Sequence, residues 1–178
     1  MIADAIKADA KATIAGLKAR GIRTIMLTGD SRAVGEAVGK EIGIDEVHSE
    51  LLPQDKVTKL EEVLASKRKG EKVIFVGDGI NDTPVLARSD IGMAMGGLGS
   101  DAAIEAADIV IMDDQPSKIL TAMDVAKETR KIVWQNIIFA MAVKGVFLIL
   151  GAFGVATMWE AVFADVGVTV LAVLNSIR

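Results

Sequence analysis

The stretch Val73–Ala87, VIFVGDGINDTPVLA, decides the fold of this chain. It begins with four apolar residues, continues through a loop of two glycines and two aspartates, and ends in Thr-Pro-Val-Leu-Ala. A short apolar run that stops at glycine is typical of a buried strand, and Pro84 suits the first turn of a helix. The stretch therefore predicts a strand, a polar loop and a helix in direct succession.

The same alternation extends to both sides of this unit. Helical patterns are ADAKATIAGLKARG ending at Gly21, SRAVGEAVGKEIG with Ser31 as its cap and Gly43 as its end, and LPQDKVTKLEEVLASKRKG ending at Gly70. Strand patterns are IRTIMLTGD, EVHSEL, IGMAM and DIVIM. Strands that alternate with helices predict βαβ units and a mostly parallel sheet covered on both faces.

Composition narrows the possible functions. The 178 residues carry a net charge of −4 and no cysteine, and 51% of them are hydrophobic. The absence of cysteine excludes disulfides, thiolate metal sites and a cysteine nucleophile. No basic stripe with interleaved aromatic residues is present, so nucleic acid is not an expected partner. The first residues are charged and lack the apolar segment of a secretory signal.

Two polar loops follow predicted strands. They are Thr28-Gly29-Asp30 and the loop from Gly77 to Asp82. Ligands of parallel sheets bind at the carboxyl ends of the strands, so both loops are expected at one edge. Their glycines allow backbone N–H groups to approach an anion closely.

The side chains of these loops suit a phosphate and a magnesium ion. Asp78 and Asp82 offer hard oxygen ligands, and Mg²⁺ favours one or two carboxylates together with phosphate oxygens. Thr28 supplies a hydroxyl donor, and Lys56 supplies a compact cation. An ordinary turn remains an alternative for Thr28-Gly29-Asp30. A dinucleotide-binding loop is disfavoured because Asp82 replaces the third glycine of that motif.

Four segments together resemble one protein family. MLTGD, LPQDK, VGDGINDTPVLA and GSDAAIEAADIVIM are similar, in order and spacing, to the second half of the phosphorylation domain of P-type ATPases. The resemblance implies a haloacid-dehalogenase-like α/β fold. It also implies binding of the transferred phosphoryl group by Thr28 and Gly29 with Asp30 beside them, charge neutralisation by Lys56, and a Mg²⁺ site formed by Asp78 and completed by Asn81 and Asp82.

The phosphorylated aspartate of that family lies in an Asp-Lys-Thr-Gly-Thr motif, which this sequence does not contain. The chain is therefore expected to be a C-terminal piece of a larger pump, inactive alone, with the ATP-binding domain outside it. Residues 1–130 would form the C-terminal part of the cytosolic phosphorylation domain. Two alternatives stay open: a truncated membrane-associated protein that binds or regulates a pump, and a haloacid-dehalogenase-like phosphatase.

From residue 131 to 178 the chain becomes strongly apolar. Residues 132–154 and 158–177 are each long enough to cross a bilayer as a helix, the first at about 34 Å. Basic residues precede the first span and follow the second, and the connecting loop has none, which places the soluble part in the cytosol of a multi-pass protein of the plasma or inner membrane. Trp134 and Trp159 suit interfacial anchors. The alternative is a buried hairpin of a soluble protein.

The spans also carry charges. Lys144 and Asp165 are expected at similar depth below the hairpin turn, where they could face each other. A charge within the membrane costs at least about 2.5–3.5 kcal/mol on insertion scales, so it is a functional candidate. Asp165 suits a cation ligand with Lys144 as its counter-charge, and a purely structural ion pair is the alternative. Glu160 is expected to be solvated near the interface, and Asn175 to pack between helices.

The last span adds a narrower resemblance. AVFADVGVTVLAVLNSIR is similar to the last transmembrane helix of the zinc-, cadmium- and lead-exporting subgroup, which has an Asp-x-Gly here and a Lys in the preceding helix. Asp165, Gly167 and Lys144 occupy those positions. The resemblance implies an ATP-driven exporter of Zn²⁺, Cd²⁺ or Pb²⁺ with an aspartyl-phosphate intermediate. The family's metal-binding cysteine pair belongs to an earlier helix.

Overall fold

The structure is a computed structural model that describes residues 6–77, 82–96, 101–113, 115–155 and 157–177, without the side chains of residues 101–103. The chain divides into two compact units, Met1–Thr121 and Ala122–Arg178. This division precedes the domain boundary predicted after residue 130.

The first unit alternates strands and helices. Its strands are β1 (Ile25–Leu27), β2 (Glu46–His48), β3 (Ile74–Gly77), β4 (Ile91–Met95) and β5 (Ile109–Ile111). Its helices are α1 (Ala10–Ala19), α2 (Arg32–Ile42), α3 (Pro53–Ser66), α4 (Thr83–Arg88) and α5 (Asp101–Ala106), followed by the start of α6 (Ser117–Ala152). All strand pairs are parallel, which confirms the predicted α/β fold with a parallel sheet.

The strands form two groups. β1 pairs with β2, and β3, β4 and β5 pair in that order. The last residues of paired strands are neighbours, with Leu27 opposite His48 and Gly77 opposite Ala94. Among the described residues, β1 pairs only with β2 and β3 only with β4. One edge of β1 and one edge of β3 therefore have no strand partner in the described part of the chain.

The core of this unit lies where α4 packs on β4. Val85, Leu86 and Met93 are almost completely buried. A side chain at Gly92 would place its Cβ 2.8 Å from the carbonyl oxygen of Leu86, so only glycine allows the helix backbone this close to the strand. This packing fixes the start of α4, which directly follows the second polar loop.

One helix-end prediction was confirmed in position only, and another was wrong. Ser31 occupies the N-cap position of α2, but its side chain makes no capping hydrogen bond there; the backbone N–H of Arg32 instead donates to Oε1 of Glu50 at 3.4 Å. α3 ends at Ser66 and not at Gly70. Lys67 adopts an extended backbone and donates to Asp90, which holds the pKa of Asp90 well below its usual range.

The second unit is a pair of long helices, α6 and α7 (Met158–Ser176). Both are long and apolar enough to cross a membrane, and almost none of their most apolar residues are buried within the chain. The exposed side chains include Leu148, Phe153 and Phe163. Such exposure does not fit the buried core hairpin of a soluble protein, because this apolar surface needs a lipid or protein cover.

Candidate functional site

The first polar loop is held rigidly after β1. The hydroxyl of Thr28 donates to Oδ2 of Asp30 at 2.8 Å and accepts from the backbone N–H of Asp30 at 3.1 Å. Backbone bonds tie the loop to the segment after β2: Glu50 N–H donates to the Asp30 carbonyl at 2.8 Å, and Leu51 N–H donates to the Thr28 carbonyl at 3.1 Å. These four hydrogen bonds therefore fix the shape of the loop.

Two glycines make this shape possible. A Cβ at Gly29 would lie 3.3 Å from the carbonyl oxygen of Leu51, so a larger residue would crowd the neighbouring segment. A Cβ at Gly35, within α2, would lie 2.2 Å from Oγ of Ser49 and 3.2 Å from Cγ2 of Thr28. Gly35 thus lets α2 pack directly behind Thr28. Sequence reasoning missed its role, although a glycine inside a helical pattern is a recognised sign of close packing.

Glu50 is a second residue that the sequence did not reveal. Its φ of 60° lies in the left-handed region, which is unusual for a residue other than glycine. Its N–H bonds to Asp30 and its carboxylate accepts from the start of α2. Such conformations cost about 1–3 kcal/mol and persist only where the surroundings enforce them. Glu50 therefore supports the Thr28–Asp30 loop from behind.

Lys56 and Asp82 form the best-shielded ion pair of this region. Lys56 Nζ lies 2.8 Å from Oδ1 of Asp82, and their side chains are 19% and 12% exposed. Lys56 lies in the first turn of α3, and Asp82 is the N-cap residue of α4. The pair thus joins the helix after β2 to the helix after β3.

Gly77 explains how Asp82 reaches this position. A Cβ at Gly77 would lie 3.0 Å from Cβ and 3.1 Å from Oδ2 of Asp82. The missing side chain at the end of β3 leaves space for the Asp82 carboxylate beside the strand. An alanine at this position would push that carboxylate away or distort the strand.

Asp78 and Asn81, the other predicted site residues of this loop, lie outside the described residues. Within the described ranges, no three His, Cys, Asp or Glu side chains converge as a metal site. The Asp82 carboxylate, which is buried at the start of α4, is of the chemical type that Mg²⁺ prefers. The Asp82 side chain therefore fits a magnesium ion.

Asp45 fastens the start of β2 to the start of β1. Its Oδ1 lies 2.7 Å from Lys18 Nζ, and its Oδ2 accepts from both the N–H and the hydroxyl of Thr24 at 2.8 and 2.7 Å. The hydrogen bond from Lys18, with those from Thr24, lowers the pKa of Asp45 from 3.8 to about 2. This ionised carboxylate sets the pairing of β1 with β2, at whose far end the Thr28 loop begins.

In the second unit, Lys144 and Asp165 meet. Lys144 Nζ lies 3.0 Å from Oδ1 of Asp165, across the two helices of the hairpin. The hydroxyl of Thr169 donates to the backbone carbonyl of Asp165 at 2.9 Å. Both charged side chains line a groove of about 380 Å³ between α6 and α7. Lys144 and Asp165 therefore form an ion pair between α6 and α7.

Glu160 has a role that differs from simple solvation. Its carboxylate accepts from the N–H of Thr157 at 2.7 Å, and the Thr157 hydroxyl accepts from the Glu160 N–H at 3.5 Å. This is a capping box that begins α7. The Thr-x-x-Glu spacing is a sequence signal for such a box and could have identified it.

Known proteins resemble this chain over its whole length. The haloacid dehalogenase-like hydrolase family matches residues 1–90. The chain is 69% identical over its whole length to a cadmium, zinc and cobalt-transporting ATPase of Bacillus subtilis, and it covers 26% of that protein. It is 56% identical to a zinc-transporting ATPase of Synechocystis and covers 25% of that protein. A crystal structure of a zinc-transporting PIB-type ATPase is also similar to this chain, with a TM-score of 0.90 and 36% sequence identity. The match covers 98% of this chain and 28% of the crystallised ATPase.

The chain thus spans about a quarter of the length of these relatives. The match includes the Thr28 loop, the loop before α4 and the apolar hairpin, because it extends over the whole chain. These findings confirm the haloacid-dehalogenase-like fold and the resemblance that the sequence motifs indicated. Over its whole length the chain is similar to heavy-metal-transporting ATPases, and it belongs to the haloacid dehalogenase-like hydrolase family.

Proposed function

We propose that the chain is part of an ATP-driven pump that exports Zn²⁺, Cd²⁺ or Pb²⁺ through an aspartyl-phosphate intermediate. The observation that carries the proposal is the 3.0 Å contact between Lys144 and Asp165 on two apolar helices, in a chain whose other unit matches the haloacid dehalogenase-like hydrolase family. Charges at membrane depth are costly, so their pairing at this point calls for a function. The names of the relatives, all cation-transporting ATPases, support the same conclusion.

The soluble unit would provide part of the phosphoryl-transfer site. Thr28 and Gly29 would bind the phosphoryl oxygens through the hydroxyl and backbone N–H groups, with Asp30 fixing the Thr28 hydroxyl. Lys56 would neutralise phosphate charge, and Asp82 holds its ammonium group in place. Catalysis of this type depends mostly on positioning and electrostatics.

A magnesium ion would be held by Asp78 and Asp82, with Asn81 completing the site. When bound, Mg²⁺ offsets the negative charge of the phosphoryl oxygens. Asp82 would hold this ion while its Oδ1 accepts from Lys56. ATP would be delivered by a nucleotide-binding domain elsewhere in the pump.

The remainder of the pump would complete the sheet. In the described part of the chain, one edge of β1 and one edge of β3 have no strand partner. A further strand between them, carrying the phosphorylated aspartate, would join the two groups into one sheet. The absence of Asp-Lys-Thr-Gly-Thr from the sequence supports this role for another segment, and implies that the present chain alone does not hydrolyse ATP.

In the membrane, Asp165 would ligate the transported dication and Lys144 would serve as the counter-charge. An arriving dication competes with the Lys144 ammonium for the same carboxylate, so Lys144 stabilises the metal-free state and promotes release. Basic residues at the outer ends of the hairpin support a cytosolic location of the soluble unit. Trp134 and Trp159, both exposed, would anchor the hairpin in the plasma or inner membrane.

The test is metal-stimulated ATP hydrolysis by the full-length protein that contains this chain. We expect Zn²⁺ and Cd²⁺ to stimulate hydrolysis in the wild type, and Asp165→Ala to abolish that stimulation. Trp159→Phe, at the exposed start of α7, is the control and should retain it. Stimulation of Asp165→Ala to the wild-type level would overturn the proposal, as would hydrolysis of small phosphate esters without any response to metal.

A further inference from the structure

The contact between α6 and α7 follows a seven-residue pattern. The less exposed positions on α6 include Asn136, Ala140, Val143, Phe147 and Leu150, and those on α7 are Ala161, Ala164, Val168, Ala172 and Asn175. These positions are three and four residues apart in each helix. Such spacing is typical of a left-handed, coiled-coil-like contact, here called the hairpin seam.

Most seam residues are apolar or small, but one end of the seam is polar. The side-chain amide of Asn136 donates to the Ala172 carbonyl at 3.2 Å and to Oγ of Ser176 at 2.9 Å. Its Oδ1 accepts from the side-chain amide of Asn175 at 2.9 Å. All these partners of Asn136 lie on the opposite helix. We call Asn136, Asn175 and Ser176 the amide clasp.

Small apolar residues alone would define the seam poorly. In lipid no hydrophobic force drives two helices together, and the alanines of α7 permit close contact at more than one offset. A single asparagine within a coiled-coil seam, by contrast, selects the offset at which its hydrogen bonds form. The amide clasp is such a selector, because its bonds exist only when Asn136 lies opposite Ala172 and Ser176.

The clasp and the ion pair are linked by helix geometry. Lys144 lies eight residues after Asn136, and Asp165 lies ten residues before Asn175. At 1.5 Å per residue the ion pair is about 12–15 Å from the clasp, measured along either helix. A slip of seven residues would shift one helix by about 10 Å and separate Lys144 from Asp165.

We propose that Asn136, Asn175 and Ser176 are positioning residues, which set the offset of α6 against α7 and thereby place Lys144 opposite Asp165. The claim that this placement matters for ion binding rests on the proposed function. The claim that the three residues set the helix offset does not depend on it. None of the three hydrogen bonds of the clasp involves Asp165, so their effect on the ion pair is transmitted through the helix offset.

The absence of cysteine allows a direct test in the 178-residue chain, reconstituted in lipid nanodiscs. Ala140 and Val168 line the same groove, so a cysteine at each should form a disulfide on mild oxidation with diamide. Cysteines at 140 and 161 should join only after a seven-residue slip. We expect Asn136→Leu with Asn175→Leu to reduce the first cross-link at least about threefold and to raise the second, as loss of membrane hydrogen bonds of ordinary strength predicts.

Thr169→Val is the matched control. It also removes a polar group from α7, but the Thr169 hydroxyl bonds only within its own helix at 2.9 Å, so both cross-links should stay at wild-type levels. Asn136→Ala provides a second clasp variant if the leucine variant does not insert. Unchanged cross-linking in the clasp variant that inserts would overturn the inference, as would equal shifts in Thr169→Val.

Zinc-stimulated ATP hydrolysis by the full-length pump separates this inference from the proposed function. The clasp variant should raise the Zn²⁺ concentration for half-maximal stimulation about three- to tenfold, in line with the strength of membrane hydrogen bonds. A shifted cross-link with an unchanged zinc requirement would overturn the positioning role. A wild-type pump without zinc stimulation would refute the proposed function and leave the cross-linking result valid.

Discussion

The ammonium group of Lys56 lies 2.8 Å from the carboxylate of Asp82, and this contact joins helices that follow strands of two separate groups, β1–β2 and β3–β4–β5. Both side chains are largely shielded from water. The pair therefore connects the two halves of the candidate phosphoryl-transfer site.

Removal of one partner of this pair should destabilise the first unit. Lys56→Met leaves a shielded carboxylate without its cation, which costs about 1–3 kcal/mol of unfolding free energy. The double variant Lys56→Met with Asp82→Asn should lose less than the sum of the single variants, because the two groups interact directly. Urea unfolding of the detergent-solubilised chain, followed by circular dichroism, measures the difference.

The same helix supplies the control for this experiment. Lys59 pairs with Glu62 at 2.6 Å on the exposed surface of α3, so Lys59→Met should change the unfolding free energy by less than about 1 kcal/mol. An equal loss in Lys56→Met and Lys59→Met would show that shielding of the Lys56–Asp82 pair has no energetic consequence.

Stability should depend on the ionisation of Asp45 in acid. Its pKa is lowered from 3.8 to about 2 by hydrogen bonds from Lys18 and Thr24, so the folded state holds the carboxylate ionised more strongly than the unfolded state does. The stabilisation is complete above about pH 4 and is lost as the pH falls towards 2. Asp45→Asn should flatten the pH dependence of urea unfolding in that window. Glu36→Gln, a change of the same charge on the exposed face of α2, should leave the slope intact.

The close contact of α4 with β4 should make any larger residue at position 92 destabilising. Gly92→Ala would bring a Cβ to 2.8 Å from the Leu86 carbonyl oxygen, and the resulting strain should cost about 1–3 kcal/mol. Gly145→Ala is the control, because among the described residues no atom beyond its chain neighbours and the nearby backbone of α6 lies within 4 Å of the added Cβ, and alanine favours a helix over glycine by about 1 kcal/mol. Thermal unfolding should therefore distinguish the two variants. A Gly92→Ala protein as stable as the wild type would contradict the described packing.

The hydroxyl of Thr28 should contribute more to the rate of ATP hydrolysis than the methyl group of the same side chain. Thr28→Val keeps the methyl group that lies near Gly35 but removes the hydroxyl that holds Asp30 and would contact the phosphoryl group. Loss of one such donor typically slows turnover by about 10²-fold or more. The rate of ATP hydrolysis by the full-length pump at saturating Zn²⁺ measures the effect. Thr58→Val, whose hydroxyl bonds only to the Gln54 carbonyl on its own helix, should keep the wild-type rate.

The elements that the sequence revealed are those governed by local rules. The strand and helix patterns around Val73–Ala87 predicted parallel pairing because apolar period and glycine position act within a few residues. The meeting of Lys144 and Asp165 could be predicted from helical rise alone, since a helix has a fixed length per residue. The roles of the predicted site residues remain predictions, and Asp78 and Asn81 lie outside the described residues.

The features that sequence reasoning missed depend on distant partners. The bond between Lys56 and Asp82 joins residues 26 positions apart. No local sequence pattern indicates with which carboxylate a lysine will pair. The left-handed backbone of Glu50 is enforced by Asp30 and Arg32. In the sequence, Asn136 is one of several polar residues near the end of a span. Its hydrogen bonds become apparent only when the face of α7 opposite it is known.

The most direct test of the central claim is ATP-dependent uptake of radioactive zinc into inverted membrane vesicles that contain the full-length pump. The wild type should accumulate zinc, and Asp165→Asn, which keeps the size of the side chain but removes the charge that Lys144 contacts at 3.0 Å, should not accumulate it above the level without ATP. Uptake by Asp165→Asn at the wild-type rate would contradict the assignment of Asp165 as the ligand of the transported ion.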